Sequence, residues 1–117
     1  MKKKGLIRLV LLLIFTFFVT ATYTHAESAT IYVDDMSKLK WQMTNDGNVY
    51  FRNLNTFNSE VSGCCYAFVL DTTTAYGKSA WTTILLKIAS SSPLFLYATT
   101  SNPTDSNPAT IRSIGNW

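Results

Sequence analysis

Cys64–Tyr97, CCYAFVLDTTTAYGKSAWTTILLKIASSSPLFLY, reads as a strand, a capped amphipathic helix and a second strand. Cys64–Leu70 is a nearly continuous apolar run, which suits a central strand covered on both faces. Asp71-Thr72-Thr73-Thr74 then offers side-chain oxygens to the unpaired N–H groups of a first helical turn. The spacing predicts a helix from about Ala75 to Ala89, with Ala80, Trp81, Ile84, Leu85 and Ile88 on one apolar face. Leu86 falls off that stripe and is expected to be exposed in a monomer. Ser90-Ser91-Ser92-Pro93 ends the helix, and Leu94–Ala98 returns as a strand.

Working outward, Thr30–Val33 is β-branched and aromatic and stops at Asp34-Asp35, as an edge strand would. Between Met36 and Met43, Leu39, Trp41 and Met43 alternate with Lys38, Lys40 and Gln42, which favours a strand. Asp46-Gly47 is preferred hairpin-turn chemistry, and Val49–Leu54 resumes as a strand. Asn55–Gly63 is polar and turn-like, Ser101–Pro108 is a surface loop, and Ala109–Ile114 is the last strand. The fold class expected is mostly β with one amphipathic helix before the last two strands, either a small OB-like barrel or a compact α+β roll.

The amino terminus has a different character. Lys2, Lys3 and Lys4 precede an apolar run from Leu9 to Val19, followed by small and polar residues up to Ala26. This is the layout of a secretory signal over residues 1–26; an uncleaved anchor is the alternative, but the run is short for a bilayer span. Residues 27–117 then form one domain, secreted or periplasmic. The leader holds four of the ten basic residues, and all seven acids lie beyond it. Six basic against seven acidic residues remain, a net charge of −1, so the basic balance belongs to the leader. No basic patch points to nucleic acid. His25 also leaves with the leader, which excludes Ser-His and Cys-His nucleophile pairs and His-based metal sites. No metal, no cofactor and no catalytic residue is expected.

Four motifs bear on chemistry. Gly77-Lys78-Ser79 resembles the tail of a phosphate loop, but Thr72 stands where that loop needs its first glycine and the residues fall inside a helix. Gly77 is better read as allowing the helix to approach a strand closely. Cys64 and Cys65, adjacent in a strand, would point to opposite faces. They can be a free pair, a vicinal disulfide, or one half of a bond to another subunit, and the reading favours reduced or partly oxidised thiols over a redox pair. The carboxylates Asp34, Asp35, Asp46, Glu60, Asp71 and Asp105 are scattered, Asp71 as a cap and Asp46 as a turn residue. Among the aromatics, Phe68, Trp81 and Phe95 are read as core. Tyr50, Tyr66 and Trp41, with Asn45, Asp46 and Asn48 in the adjoining turn, have the composition of a sugar-stacking platform. Core packing beside a solvated hairpin accounts for the same residues.

Gly63–Tyr97 resembles the pentamer-forming binding subunits of the subtilase cytotoxin and typhoid toxin type and small exported proteins similar to them. The shared pattern is a Cys-bearing aromatic strand, a polar connection, a helix of the form GK-x-x-(aromatic)-x-x-(I/L)-L-x-x-(I/A), a break, and a strand like Pro93–Tyr97. The resemblance implies an OB-like subunit in a ring of five, helices toward the pore, glycans on the barrel flank and a possible catalytic A subunit as partner. It would place Leu86 at a subunit contact, with Lys78 and Thr82 on the same interface. Two features depart from the family. Asp46, Gly47 and Asn48 stand where its members carry a glycan-binding serine, and the second Cys expected after Leu94–Tyr97 is missing. The resulting expectation is an exported, non-enzymatic, oligomeric module that binds a cell-surface glycan through Asn45, Asp46, Asn48, Tyr50 and Tyr66. The rival is a secreted or periplasmic protein-interaction or inhibitor module without glycan binding.

Overall fold

A computed structural model of the protein describes residues 27–117. The leader expected over residues 1–26 lies outside the described residues. Six strands, β1 (Ala29–Val33), β2 (Trp41–Met43), β3 (Asn48–Phe51), β4 (Phe68–Asp71), β5 (Leu94–Ala98) and β6 (Ala109–Gly115), form one mixed sheet, and helix α1 (Ala75–Ala89) joins β4 to β5. The order across the sheet is β1-β5-β6-β4-β3-β2. Every neighbouring pair is antiparallel except β4 and β6, which are parallel. The described residues are therefore mostly β with one helix before the last two strands. The sheet is not closed, and its two edges, β1 and β2, are consecutive in the chain.

β6 holds the two halves of the sheet together. Its start, Ala109 and Thr110, pairs with Phe68 and Val69 of β4. Its remainder pairs with β5, from Ala98↔Ile111 and Tyr97↔Ser113 to Phe95↔Gly115. Arg112 is the extra residue at the register shift, a bulge that bends the strand so that it can serve both neighbours.

Alternation places Ile31 and Val33, Val49 and Phe51, Phe68 and Leu70, Leu94 and Leu96, and Ala109 and Ile111 on the inner face, all buried. Each fully buried Leu, Ile or Phe among them contributes about 1.5–3 kcal/mol. α1 adds Ala80 and Ile84 to this core and packs on β4 and on the 3-10 turn Met36–Lys38 between β1 and β2. Met36 is fully buried, and its N–H donates to the Ser92 carbonyl at 3.0 Å. The helix thereby anchors the chain that links the two sheet edges.

The helix has the bounds expected of it, and Thr74 Oγ1 caps it by accepting from the Gly77 N–H at 2.9 Å. A Cβ at Gly77 would lie 1.7 Å from the Asp71 carbonyl oxygen, so only glycine lets α1 start directly against the end of β4. Leu85 departs from the expected apolar face and is 40% exposed. Leu86 is 66% exposed, as expected of an off-stripe residue.

Three strand expectations and one core expectation need correction. Cys64–Leu70 is not one strand, because β4 begins at Phe68. Gly63 (φ 101°) and Cys65 (φ 75°) turn the chain out of extended geometry, and the Tyr66 N–H folds back to the Cys64 carbonyl at 2.9 Å. The strand expected over Val49–Leu54 ends at Phe51, and Leu54 instead buries itself in a 3-10 turn, Leu54–Thr56. The Met36–Met43 segment is a strand only from Trp41. Asp35 accepts from the Ser37 N–H and starts a 3-10 turn there, which alternation alone does not reveal. Phe95, read as core, lies on the outer face of β5 between the rings of Tyr32 and Trp117.

Candidate functional site

β2, β3 and β4 turn their outer face to solvent, and the polar phase of each strand sets what that face carries. On β2, Trp41 and Met43 pair with the buried Phe51 and Val49, leaving Gln42 on the outer side opposite Tyr50. Arg52, the next outward position after Tyr50, follows at the end of β3. Tyr66 reaches the same face from the turn before β4. Its ring meets Tyr50 edge to face, with centroids 5.2 Å apart. Such a pair contributes about 0.5–1.5 kcal/mol beyond its buried area.

Gln42 and Arg52 complete the cluster. Gln42 Oε1 accepts from the Tyr66 hydroxyl at 3.1 Å and from Arg52 Nη1 at 2.5 Å. The Arg52 guanidinium lies 4.7 Å from the centroid of the Tyr66 ring. Tyr66 is thus held at its face, edge and hydroxyl while remaining 37% exposed. A fixed, exposed ring with a guanidinium and an amide beside it can stack against an apolar ligand face and donate hydrogen bonds to its polar rim.

The Cys64–Cys65 pair adjoins this cluster. The structure joins the two sulfurs in a vicinal disulfide, and the positive φ of Cys65 belongs to that turn. A vicinal disulfide is one of the three states the sequence left open, beside the favoured reduced or partly oxidised thiols. The expectation of opposite strand faces is corrected, because the pair lies before the strand rather than in it. Cys64 Sγ lies 3.7 Å from the Arg52 carbonyl. The bridge therefore packs beside the backbone that carries Arg52 and just before Tyr66.

Of the residues expected to form a sugar platform, Tyr50 and Tyr66 meet. Asn48 is on the same face of β3, one pleat from Tyr50, but its side chain donates to Asp46 Oδ2 at 3.1 Å. Asp46 also accepts from the Thr44 hydroxyl and from the Asn48 N–H, so these groups close the hairpin turn on one another. Asn45 is exposed at the turn tip. Trp41 lies on the opposite side of β2 from Tyr50, against Trp81 of α1 with ring centroids 4.9 Å apart. Gln42 and Arg52 were missed by the sequence reading, although their alternation with Trp41, Met43 and Phe51 carries the signal that they face outward.

The carboxylates have structural work. Hydrogen bonds from the Thr44 hydroxyl and the Asn48 N–H hold Asp46 below the usual carboxylate range. Ser37 does the same for Asp35, and Thr73 for Asp71. Asp34 pairs with Lys38 at 3.2 Å. Among the described residues no group of three or more His, Cys, Asp or Glu side chains is placed to hold a metal ion. A polar cleft of about 430 Å³ lies elsewhere, between Glu27, Thr30, Asn58, Glu60 and Asn102. Lys78, Thr82 and Leu86 form an exposed stripe along α1, with the Thr82 hydroxyl donating to the Lys78 carbonyl at 2.9 Å. Gly77-Lys78-Ser79 lies within α1, where Gly77 is explained by its contact with β4.

No family model, no curated protein and no solved structure matches this chain.

Proposed function

We propose that the protein is an exported, non-enzymatic binding module that recognises a cell-surface glycan through the outer face of β2, β3 and β4. The observation that carries this reading is Tyr66, an exposed ring fixed by Tyr50, Gln42 and Arg52. An OB-type architecture, a partly open five-stranded barrel, is part of the proposal. It is supported by the position of the helix, by the parallel pairing of β4 with β6, and by the continuity of β1 and β2 along the chain. In that reading β1 and β2 are one interrupted first strand. OB folds bind oligosaccharides on the face of their second and third strands, here β3 and β4.

The resemblance to toxin binding subunits extends the proposal to a homo-oligomer, a ring of five, that serves a catalytic A subunit. Its support is apolar surface left open on one monomer: Leu85 and Leu86 on α1, and Trp41 and Met43 on β2. The same surface favours the second reading, a secreted or periplasmic interaction module without glycan binding.

Screening the purified protein on a broad glycan array tests the proposal, with Tyr66→Ala and Arg52→Ala compared at equal folded concentration. Binding is expected for the parent and at least about tenfold weaker for each variant, in line with the loss of one stacking or charge-assisted contact. Absence of binding across the array would sink the glycan reading and leave the interaction module.

A further inference from the structure

A second aromatic surface lies on the other half of the sheet. The register brings Tyr32, Phe95 and Gly115 into one row across the outer face of β1, β5 and β6. The Tyr32 and Phe95 rings are 4.7 Å apart, and the Trp117 indole stacks on Phe95 at 4.7 Å with planes 13° apart. Trp117 reaches this position by folding back over Gly115, where a Cβ would stand 2.1 Å from its Cζ3. Gly115 is therefore the seat of the indole. One indole face lies against Phe95, and Trp117 is 70% exposed, so the opposite face is open.

The neighbouring row on the same face is Thr30, Tyr97 and Ser113, again in register. All three side chains carry a hydroxyl, and none of the six in-row positions carries a charge. We infer that this face is a second ligand site, a platform for a neutral oligosaccharide. The open indole would stack on the apolar C–H face of a pyranose, and the row of Thr30, Tyr97 and Ser113 would exchange hydrogen bonds with its hydroxyls. The two rows themselves carry no formal charge, which suits an uncharged sugar. The Arg52–Tyr66 cluster, by contrast, offers a guanidinium. The site rests on its own residues and is independent of the reading of that cluster.

The test is calorimetric titration of the full protein with maltohexaose, cellohexaose, mannohexaose and lacto-N-tetraose, with an acidic heparin hexasaccharide as comparator. Binding of at least one neutral probe is expected, accompanied by a change in tryptophan fluorescence. Trp117→Ala should weaken it at least about tenfold. Gly115→Ala, which removes no aromatic ring but displaces the indole, should weaken it similarly, while Trp117→Phe retains part of the affinity. In a Tyr66→Ala background Trp117→Ala should still weaken binding, which separates this site from the β2–β4 face. Circular dichroism checks that each variant is folded. The inference is overturned if no neutral probe binds, if Trp117→Ala binds as the parent does, or if heparin alone binds. It is equally overturned if Trp117→Ala changes only the oligomeric mass, which would make the face a contact between copies.

Discussion

Gly77 and Leu86 sit on the same helix under opposite constraints. Replacing glycine by alanine in an open helix gains about 1 kcal/mol. At Gly77 the added methyl would meet the Asp71 carbonyl at 1.7 Å, and that oxygen belongs to backbone. Gly77→Ala is therefore expected to lower stability by about 1–3 kcal/mol, the usual cost of overpacking. Chemical denaturation of the two proteins checks it, and a gain in stability would show that α1 shifts freely off β4. The close approach at Gly77 was legible in the sequence, because a glycine inside a strong helical pattern needs a reason. The state of Cys64 and Cys65 was not. Whether neighbouring cysteines bond depends on backbone angles such as φ 75° at Cys65, and the residue types leave those open.

At the scale of elements, short polar turns do much of the organising. In the β2–β3 hairpin the Gly47 N–H donates to the Thr44 carbonyl, and Gly47 takes φ 87°, the left-handed position this turn requires. Asp46 closes the turn, Asp35 starts the Met36–Lys38 turn, and Asp71 braces the entry to α1 through Thr73. All three carboxylates are held below their usual value of about 3.9 by these hydrogen bonds. A carboxylate with a lowered folded-state pKa contributes stability that is present above its unfolded pKa and lost as pH falls through the folded one. Stability should thus be insensitive to these groups near neutral pH and fall below about pH 4. Urea midpoints measured from pH 6 to pH 2 check this, and Asp46→Asn should flatten the acid limb. A limb unchanged by that variant would show that Asp46 bears no proton-linked stability.

At the scale of the whole molecule, apolar surface is unevenly distributed. The inner face is filled, yet Trp41, Met43, Leu85 and Leu86 are each at least 40% exposed. If this surface is where copies meet, native mass measurement should give a multiple of the monomer. Leu86→Asp should then release monomers while leaving the helical signal intact. A monomeric parent would remove the ring of five from the proposal.

The helix bounds, its cap, the hairpin and strand β5 were set by neighbours in the sequence. Periodicity, side-chain oxygens and turn residues act over a few positions, so the sequence by itself determined them. The outward place of Gln42 and Arg52 was also encoded, in their alternation with buried partners. The tertiary structure alone decided where Cys64–Ala67 leaves the strand, how the bulge at Arg112 lets β6 serve two neighbours, and that Phe95 faces outward. It also decided which aromatic rings meet. Phe95 finds Tyr32 through strand register, while Tyr66 and Trp117 reach Tyr50 and Phe95 from the chain just before β4 and just after β6. Register is a property of pairs distant along the chain, and a one-residue slip would send each of those strand side chains to the other face.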